Sequence, residues 1–299
     1  MKLKIFSNFR NPDTDPLFVH IKKKYSNFPI TIFYEYFPKS LDELSINPYN
    51  FLILFEPNEF FGYHDIAIKN SKLFTAILSW SDEILTECSN GVLLTFNGRV
   101  LDDEFLKESQ NNNKKFEVSF LCGDKNMSSG HILRHKVFIL ENEIKIPKKW
   151  YYVLDDYDHK NKCRPGYSDY SKDLSHIPNK IDSIGYGKRI LYKESMFNVV
   201  IENVKHKNWY NKIGDNFLSK TVPIYWGCEN IEDFGYDKRG IINFNNQNDL
   251  LEIINTLTPE KYNSMKPYID YNCDIAKHDD LEDRIDEFLN SFIEINKID

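Results

Sequence analysis

The stretch "SKTVPIYWGCENIEDF", residues 219–234, decides the fold. Its apolar run Thr221-Val222-Pro223-Ile224-Tyr225-Trp226 meets a single glycine, Gly227, and an acidic, helix-starting segment follows. The run is too short to cross a bilayer, and its β-branched and aromatic residues favour a strand over a helix. It predicts a buried strand that stops at Gly227 and passes into a helix. In open α/β sheets, ligands sit outside such strand ends.

The neighbouring segments extend the same pattern. "NKIGDNFLS" (211–219) predicts a helix leading into the strand, with Lys212 in its first turn. "KRILYKESMFNVVIEN" (188–203) predicts a short helix and then a buried strand, whose end places Glu202 and Asn203 in a loop. "FEVSFLCGDKN" (116–126) predicts a strand running into a glycine-bearing loop, and "GHILRHKVFIL" (130–140) has helical spacing. Backbone N–H groups at a helix start attract anions, and a lysine there adds a full charge. A phosphate or diphosphate is the natural tenant of such a place.

Upstream, "KLKIFSNF" (2–9), "PITIFYEYF" (29–37) and "NFLILFEPNEFFG" (50–62) predict strands, the third ending at Glu56-Pro57. "FTAILSWSDEILTECSNGVLLTF" (74–96) predicts strand, helix, strand, with Ser81 or Asp82 as the helix cap and an end near Asn90-Gly91. Strands alternating with helices imply a mainly parallel sheet. The polar run "ESQNNNKK" (108–115) reads as a linker. The expectation is two α/β domains, residues 1–112 and 113–299. "GIINF" (240–244) predicts a further strand. In the tail, Leu281, Ile285, Phe288, Leu289 and Phe292 share one helical face, so residues 279–295 predict an amphipathic closing helix, free to pack back on the N-terminal domain.

Composition narrows the functional classes. A formal net charge of −7 over 299 residues argues against nucleic acid as the main partner. The five cysteines, at 88, 122, 163, 228 and 273, are scattered with no CxxC pair, which predicts unpaired thiols in a reducing compartment rather than disulfides or zinc. The polar start "MKLKIFSNFR" is unlike a signal peptide, so the expected location is the cytoplasm, with peripheral contact to a membrane surface left open. Neither GxGxxG nor a P-loop occurs, which counts against a dinucleotide oxidoreductase and a P-loop kinase.

Phe197-Asn198, Glu202-Asn203, Lys212 and Thr221-x-Pro223-Ile224-x-x-Gly227 together resemble the motif of the family 10 glycosyltransferases, the α-1,3/1,4-fucosyltransferases and their bacterial and viral relatives. About thirty residues carry the resemblance strongly, and residues 116–270 follow it more weakly. Within them, residues 118–138 are similar to the family's strand, loop and helix bearing a phosphate-binding arginine, here Arg134, and Glu56-Pro57 is similar to its proposed general base. The resemblance implies a GT-B fold, two Rossmann-like domains facing across a cleft. It implies inverting, metal-independent transfer of a sugar from a nucleotide-sugar, typically GDP-fucose, to a glycan or glycoconjugate hydroxyl, with no further cofactor. Glu56 would be catalytic. Arg134, Glu202, Asn203, Asn211, Lys212 and Gly227 would serve the donor.

Alternatives stay open at several positions. Glu59 rivals Glu56 as the base, and Glu202 serves either the donor hydroxyls or its own loop. Asn211 stands where the family has a glutamate, which leaves the donor base and sugar undetermined and admits a non-catalytic nucleotide- or glycan-binding descendant. Two metal-like patterns carry little weight. Asp155–Asp158 and Asp13–Asp15 have Asp-x-Asp spacing, but Asp155–Asp158 opens a polar excursion, and His131 and His135 are four apart on a helix with no glutamate beside the first.

Overall fold

The computed structural model describes residues 2–98, 103–110, 113–123, 125–153, 180–181 and 189–298. Asp155–Asp158, Cys163 and most of the polar stretch 155–184 lie outside the described residues. The chain divides into two compact units, one made of Met1–Phe96, Lys207–Trp209 and Asp279–Asp299, the other of Asn97–His206 and Tyr210–His278.

In the first unit, β1 (Lys4–Ser7), β2 (Ile30–Tyr34), β3 (Tyr49–Leu54), β4 (Ala76–Ser79) and β5 (Gly91–Leu93) form a parallel sheet in chain order. The intervening helices are α1 (Pro16–Tyr25), α2 (Leu41–Ser45), α3 (Asn58–Phe61), α4 (Tyr63–Lys69) and α5 (Asp82–Glu87). Ser81 caps α5 by accepting from Ile84 N at 3.5 Å. The sequence reading did not single out α1, although its start is marked: Asp15 accepts from Leu17 N at 3.1 Å and Pro16 occupies the first turn. Leu52 and Leu54 of β3 join Phe33, Phe74, Ile77 and Ile84 in one apolar cluster. Phe51, which alternation turns to the other face, meets Phe288 and Phe292 of α12 (Leu281–Asn296) with ring centroids 5.1 and 4.9 Å apart.

The second unit contains β6 (Lys115–Gly123), β7 (Lys148–Val153), β8 (Lys180–Ile181), β9 (Ser195–Ile201), β10 (Val222–Trp226) and β11 (Ile242–Asn243). They form a parallel six-stranded sheet in the order β11-β10-β9-β6-β7-β8. The chain therefore reverses its direction of travel between the adjacent strands β6 and β9. The strand predicted from residues 221–226 is the one observed, and every residue of β10 is buried.

Several local expectations need correction. Residues 108–110, read as linker, form the last turn of α6 (Asp103–Gln110), which buries Leu106. The helix expected over 211–219 is only α9 (Gly214–Leu218), so Lys212 precedes it instead of lying in its first turn. After β10 the chain makes two 3-10 turns, Ile231–Phe234 and Lys238–Gly240, instead of the expected helix. The helices α10 (Gln247–Asn255) and α11 (Pro259–Ala276) were not anticipated. Pro267 disguises α11, yet its buried Tyr262, Met265, Ile269, Cys273 and Ala276 keep helical spacing. The remaining helices of this unit are α7 (Ser129–Ile139) and α8 (Arg189–Lys193).

Candidate functional site

In an open parallel sheet, a ligand crevice forms outside the strand ends where strand order reverses. Here that place is the C-terminal ends of β6 and β9, and the chain leaving those ends supplies most of the expected donor residues. α7 follows β6 and carries Arg134; Glu202 and Asn203 follow β9.

Arg134 is partly buried and turned back to the end of β9. Its Nη2 donates to the Ile201 carbonyl and, at 3.2 Å, to Asn203 Oδ1. Burial lowers the guanidinium's affinity for its proton, and the negative charge of Glu202 is among the opposing influences. Asn203 also accepts Gly130 N through its carbonyl at 2.9 Å, tying the start of α7 to the end of β9. That approach requires glycine, because a Cβ on Gly130 would fall 1.8 Å from the Glu202 carbonyl oxygen and 2.8 Å from that of Asn203.

Glu202 is fully buried. Its Oε1 accepts from Asn211 N and Lys212 N, both at 2.9 Å, and from the Tyr225 hydroxyl at 3.4 Å. Its Oε2 lies 3.3 Å from Lys212 Nζ. The carboxylate thus ties the loop before α9 to the end of β9 and holds Lys212 at the reversal point. Gly227 makes room for it, since a Cβ there would lie 2.4 Å from both Glu202 Cγ and the Tyr225 hydroxyl. The family-like residues of β9 and β10 are therefore joined through one buried carboxylate.

Asn211 packs against Gly98, where a Cβ would lie 1.7 Å from Asn211 Oδ1, and its carbonyl accepts Gly98 N at 3.1 Å. Asn97 Oδ1 accepts Gly214 N at 3.0 Å. The first N–H of α9 and those of residues 211 and 212 are thus occupied by side chains, so α9 offers no anion site of its own. Lys212, whose side chain is 27% exposed, contributes its ammonium group rather than a helix start.

His131, set aside as half of a metal pair, belongs to this cluster. It sits in the first turn of α7, where Ser128 Oγ accepts from His131 N at 3.4 Å and lies 2.9 Å from Nδ1. Burial first, then the positive charges of Arg134, Lys212 and Lys125, push its pKa down to about 2. The imidazole is neutral, and Arg134 and Lys212 both meet the Glu202–Asn203 turn that holds the start of α7 through Gly130 N. Such a field, with the N-terminus of an eleven-residue helix, suits a ligand of concentrated negative charge. Ser128 followed by Gly130 was the available signal in the sequence: a cap and a close approach directly after a strand.

In the first unit, Glu56 is half-buried just beyond β3, whereas Glu59 is exposed in the short α3. Sequence reasoning missed their neighbour Glu35. Placed just beyond β2, Glu35 is 2% exposed and has φ +48°. A carboxylate inside the β-rich run 29–37 was its only trace in the sequence. Among the described residues, no group of three or more His, Cys, Asp or Glu side chains is placed to hold a metal. No described helix is long and apolar enough to cross a membrane.

No protein-family model and no curated protein matches the chain. Solved structures do. A glycosyltransferase from Rickettsia africae ESF-5 matches with TM-score 0.55 at 13% identity, over 97% of this chain and 84% of that one. Anabaena Alr3699/HepE in complex with UDP-glucose matches with TM-score 0.58 at 10% identity, over 97% and 85%. The α,α-trehalose 6-phosphate synthase of Burkholderia multivorans matches with TM-score 0.59 at 10% identity, over 90% and 70%. The fold is GT-B-like. At these identities the likeness establishes the fold and leaves the family 10 assignment to functional argument. The GT-B-like architecture accounts for the two Rossmann-like units, each built on a parallel sheet.

Proposed function

We propose that the protein is a glycosyltransferase whose second unit binds a nucleotide-sugar through its diphosphate at the β6/β9 reversal point. The observation supporting this is that Arg134 and Lys212 both meet the Glu202–Asn203 turn at the end of β9, which also holds the start of α7 through Gly130 N. Arg134 and Lys212 stabilise the departing nucleoside diphosphate by charge, the role that a divalent metal plays in other transferases. Glu202, Asn203 and Gly227 position these cations, and Asn211 closes the loop beside them. Localisation in the cytoplasm or at a membrane surface belongs to the same proposal.

Glu56 takes the proton from an acceptor hydroxyl of a glycan or glycoconjugate. The acceptor oxygen bonds to the anomeric carbon as the bond from that carbon to the diphosphate oxygen breaks, inverting the configuration. The proton ends on Glu56 and the electron pair on the leaving diphosphate. GDP-fucose is the donor suggested by the motif, and UDP-sugars enter the test because Anabaena HepE is described with UDP-glucose.

The experiment is a panel of GDP- and UDP-sugars assayed for transfer and hydrolysis, with binding followed by calorimetry. Arg134→Ala and Lys212→Ala should each weaken nucleoside diphosphate binding by about 10- to 100-fold, the range for a lost charge-assisted contact. Glu56→Gln should leave donor affinity close to that of the parent chain and cut transfer by about 100-fold or more. Full turnover in Glu56→Gln would remove Glu56 from the mechanism. Asn211 favours a second reading, a nucleotide- or glycan-binding protein without turnover; binding with no transfer under any donor would select it.

A further inference from the structure

The end of β3 is held from two sides. Phe55 N and, at 2.7 Å, Glu56 N both donate to Glu35 Oε1. From the other side Trp80 Nε1 donates to the Phe55 carbonyl at 2.7 Å. The grip depends on an unusual backbone. Glu35 has φ +48°, a region that non-glycine residues seldom enter, and such conformations gather at functional sites. Glu35 N donates to the Ile53 carbonyl at 2.9 Å, and Asn8 Nδ2 donates to the Glu35 carbonyl at 2.8 Å. The other carboxyl oxygen, Oε2, is buried without a hydrogen-bond partner among the described residues.

A purely structural acceptor for two N–H groups needs neither a second polar oxygen nor a titratable group, and an orphaned buried oxygen is costly. We propose that Glu35 is a positioning residue for transfer: its carboxyl grips the Phe55 and Glu56 peptide groups and so fixes where the Glu56 carboxylate stands. This inference rests on the reading of Glu56 as the base.

The charges around Glu35 fit that role. Glu56 is the carboxylate facing it from the β3 end, and Tyr34 is its neighbour on β2; Arg10 and Asp15 act on Tyr34, with the Arg10 guanidinium 5.4 Å from the Tyr34 ring centre. Burial raises the carboxyl from 4.5 to about 8, the two N–H donors oppose the shift, and Glu56 adds to it. At neutral pH Glu35 is therefore a protonated acid beside Glu56, so the clamp adds no second negative charge next to the base.

The test uses Glu35→Ala and Glu35→Gln in the full chain. Amide hydrogen exchange should show Phe55 and Glu56 opening at least about tenfold faster in Glu35→Ala, because that variant lacks the acceptor. The turnover number should drop at least about tenfold, with nucleoside diphosphate affinity retained and much of the loss restored by Glu35→Gln, whose amide oxygen can still accept. Between pH 4.5 and about 8 the folded parent holds a proton that its unfolded form has released. The parent should therefore lose stability relative to Glu35→Gln as pH rises, by about tenfold in folding constant per pH unit, and level off above that window. Unchanged exchange at Phe55 and Glu56 in a folded Glu35→Ala overturns the clamp. A pH-independent stability difference overturns the protonated carboxyl. Should Glu35→Ala not fold, Glu35→Leu, which keeps side-chain volume but has no acceptor, is read for the same exchange and turnover, and unchanged exchange there overturns the clamp. Faster exchange with full turnover would overturn the positioning role, whereas turnover retained in Glu56→Gln would instead overturn the base assignment.

Discussion

At the scale of single residues, the second unit turns on Glu202. A buried carboxylate is stable only if its lone pairs are answered, and here two peptide N–H groups, a tyrosine hydroxyl and an ammonium answer them. Glu202→Gln retains one acceptor oxygen but sets an amide NH₂ against the Lys212 ammonium. It should destabilise the second unit by about 3 kcal/mol, within the range for breaking a buried ion pair, as measured by chemical denaturation. The displaced Lys212 should also weaken nucleoside diphosphate binding, read by calorimetry. An unchanged denaturation midpoint would mean that water already shares this site. His131 gives a residue-level check of another kind. Its imidazole resonances should show no titration between pH 5 and 8 in the unliganded protein, because burial and the surrounding cations keep it neutral.

At the scale of elements, the packing of α7 on β9 decides whether its start reaches the reversal point. Gly130→Ala would drive a methyl group into backbone oxygens at 1.8 and 2.8 Å, and backbone cannot give way as a flexible side chain can. The variant should lose about 1–3 kcal/mol, the usual cost of overpacking, and bind nucleoside diphosphate more weakly as α7 moves off the strand end. Equal affinity and an unchanged melting temperature would show that the close approach is dispensable. The corresponding contact at Gly214, where a Cβ would lie 1.1 Å from Asn97 Nδ2, involves a side chain and should be the more tolerant site.

At the scale of the whole molecule, one shifted group in each unit gives opposite contributions to stability as pH changes. Glu35 in the first unit holds its proton to about 8, so the folded form loses advantage as pH climbs from 4.5 toward that value. Lys114 in the second unit is a partly buried amine donating to the Tyr192 and Lys193 carbonyls and to Thr221 Oγ1, and loss of solvent lowers its pKa from 10.5 to about 7. Between those values the unfolded chain binds more protons at this site than the folded one, so the contribution of Lys114 to stability improves as pH rises. Local probes of unfolding should therefore show the first unit weakening from pH 5 to 8 and the second strengthening from pH 7 to 10. Lys114→Met should abolish the second trend while withdrawing a donor from the Tyr192 and Lys193 carbonyls and from Thr221 Oγ1; persistence of the trend in that variant would assign it to another group.

The sequence by itself determined what short-range patterning can encode. The runs ending at Leu54 and Trp226 are strands because contiguous β-branched and aromatic residues fit a sheet buried on both faces. The tail is a helix because its apolar residues repeat every three or four positions. Gly130 and Gly227 stand where backbone or buried side chains leave no room for a Cβ, though only the packed structure shows what fills those spaces. Tertiary structure alone decided that Glu202 binds its own loop, that Asn211 packs on Gly98, and that the reversal of strand order falls between β6 and β9. It also decided that Glu35, one acidic letter in a β-rich run, is a buried acid gripping the end of the next strand. The reason is physical: local periodicity fixes which face of an element is apolar, whereas a carboxylate's partners, charge and burial depend on groups brought together from distant parts of the chain.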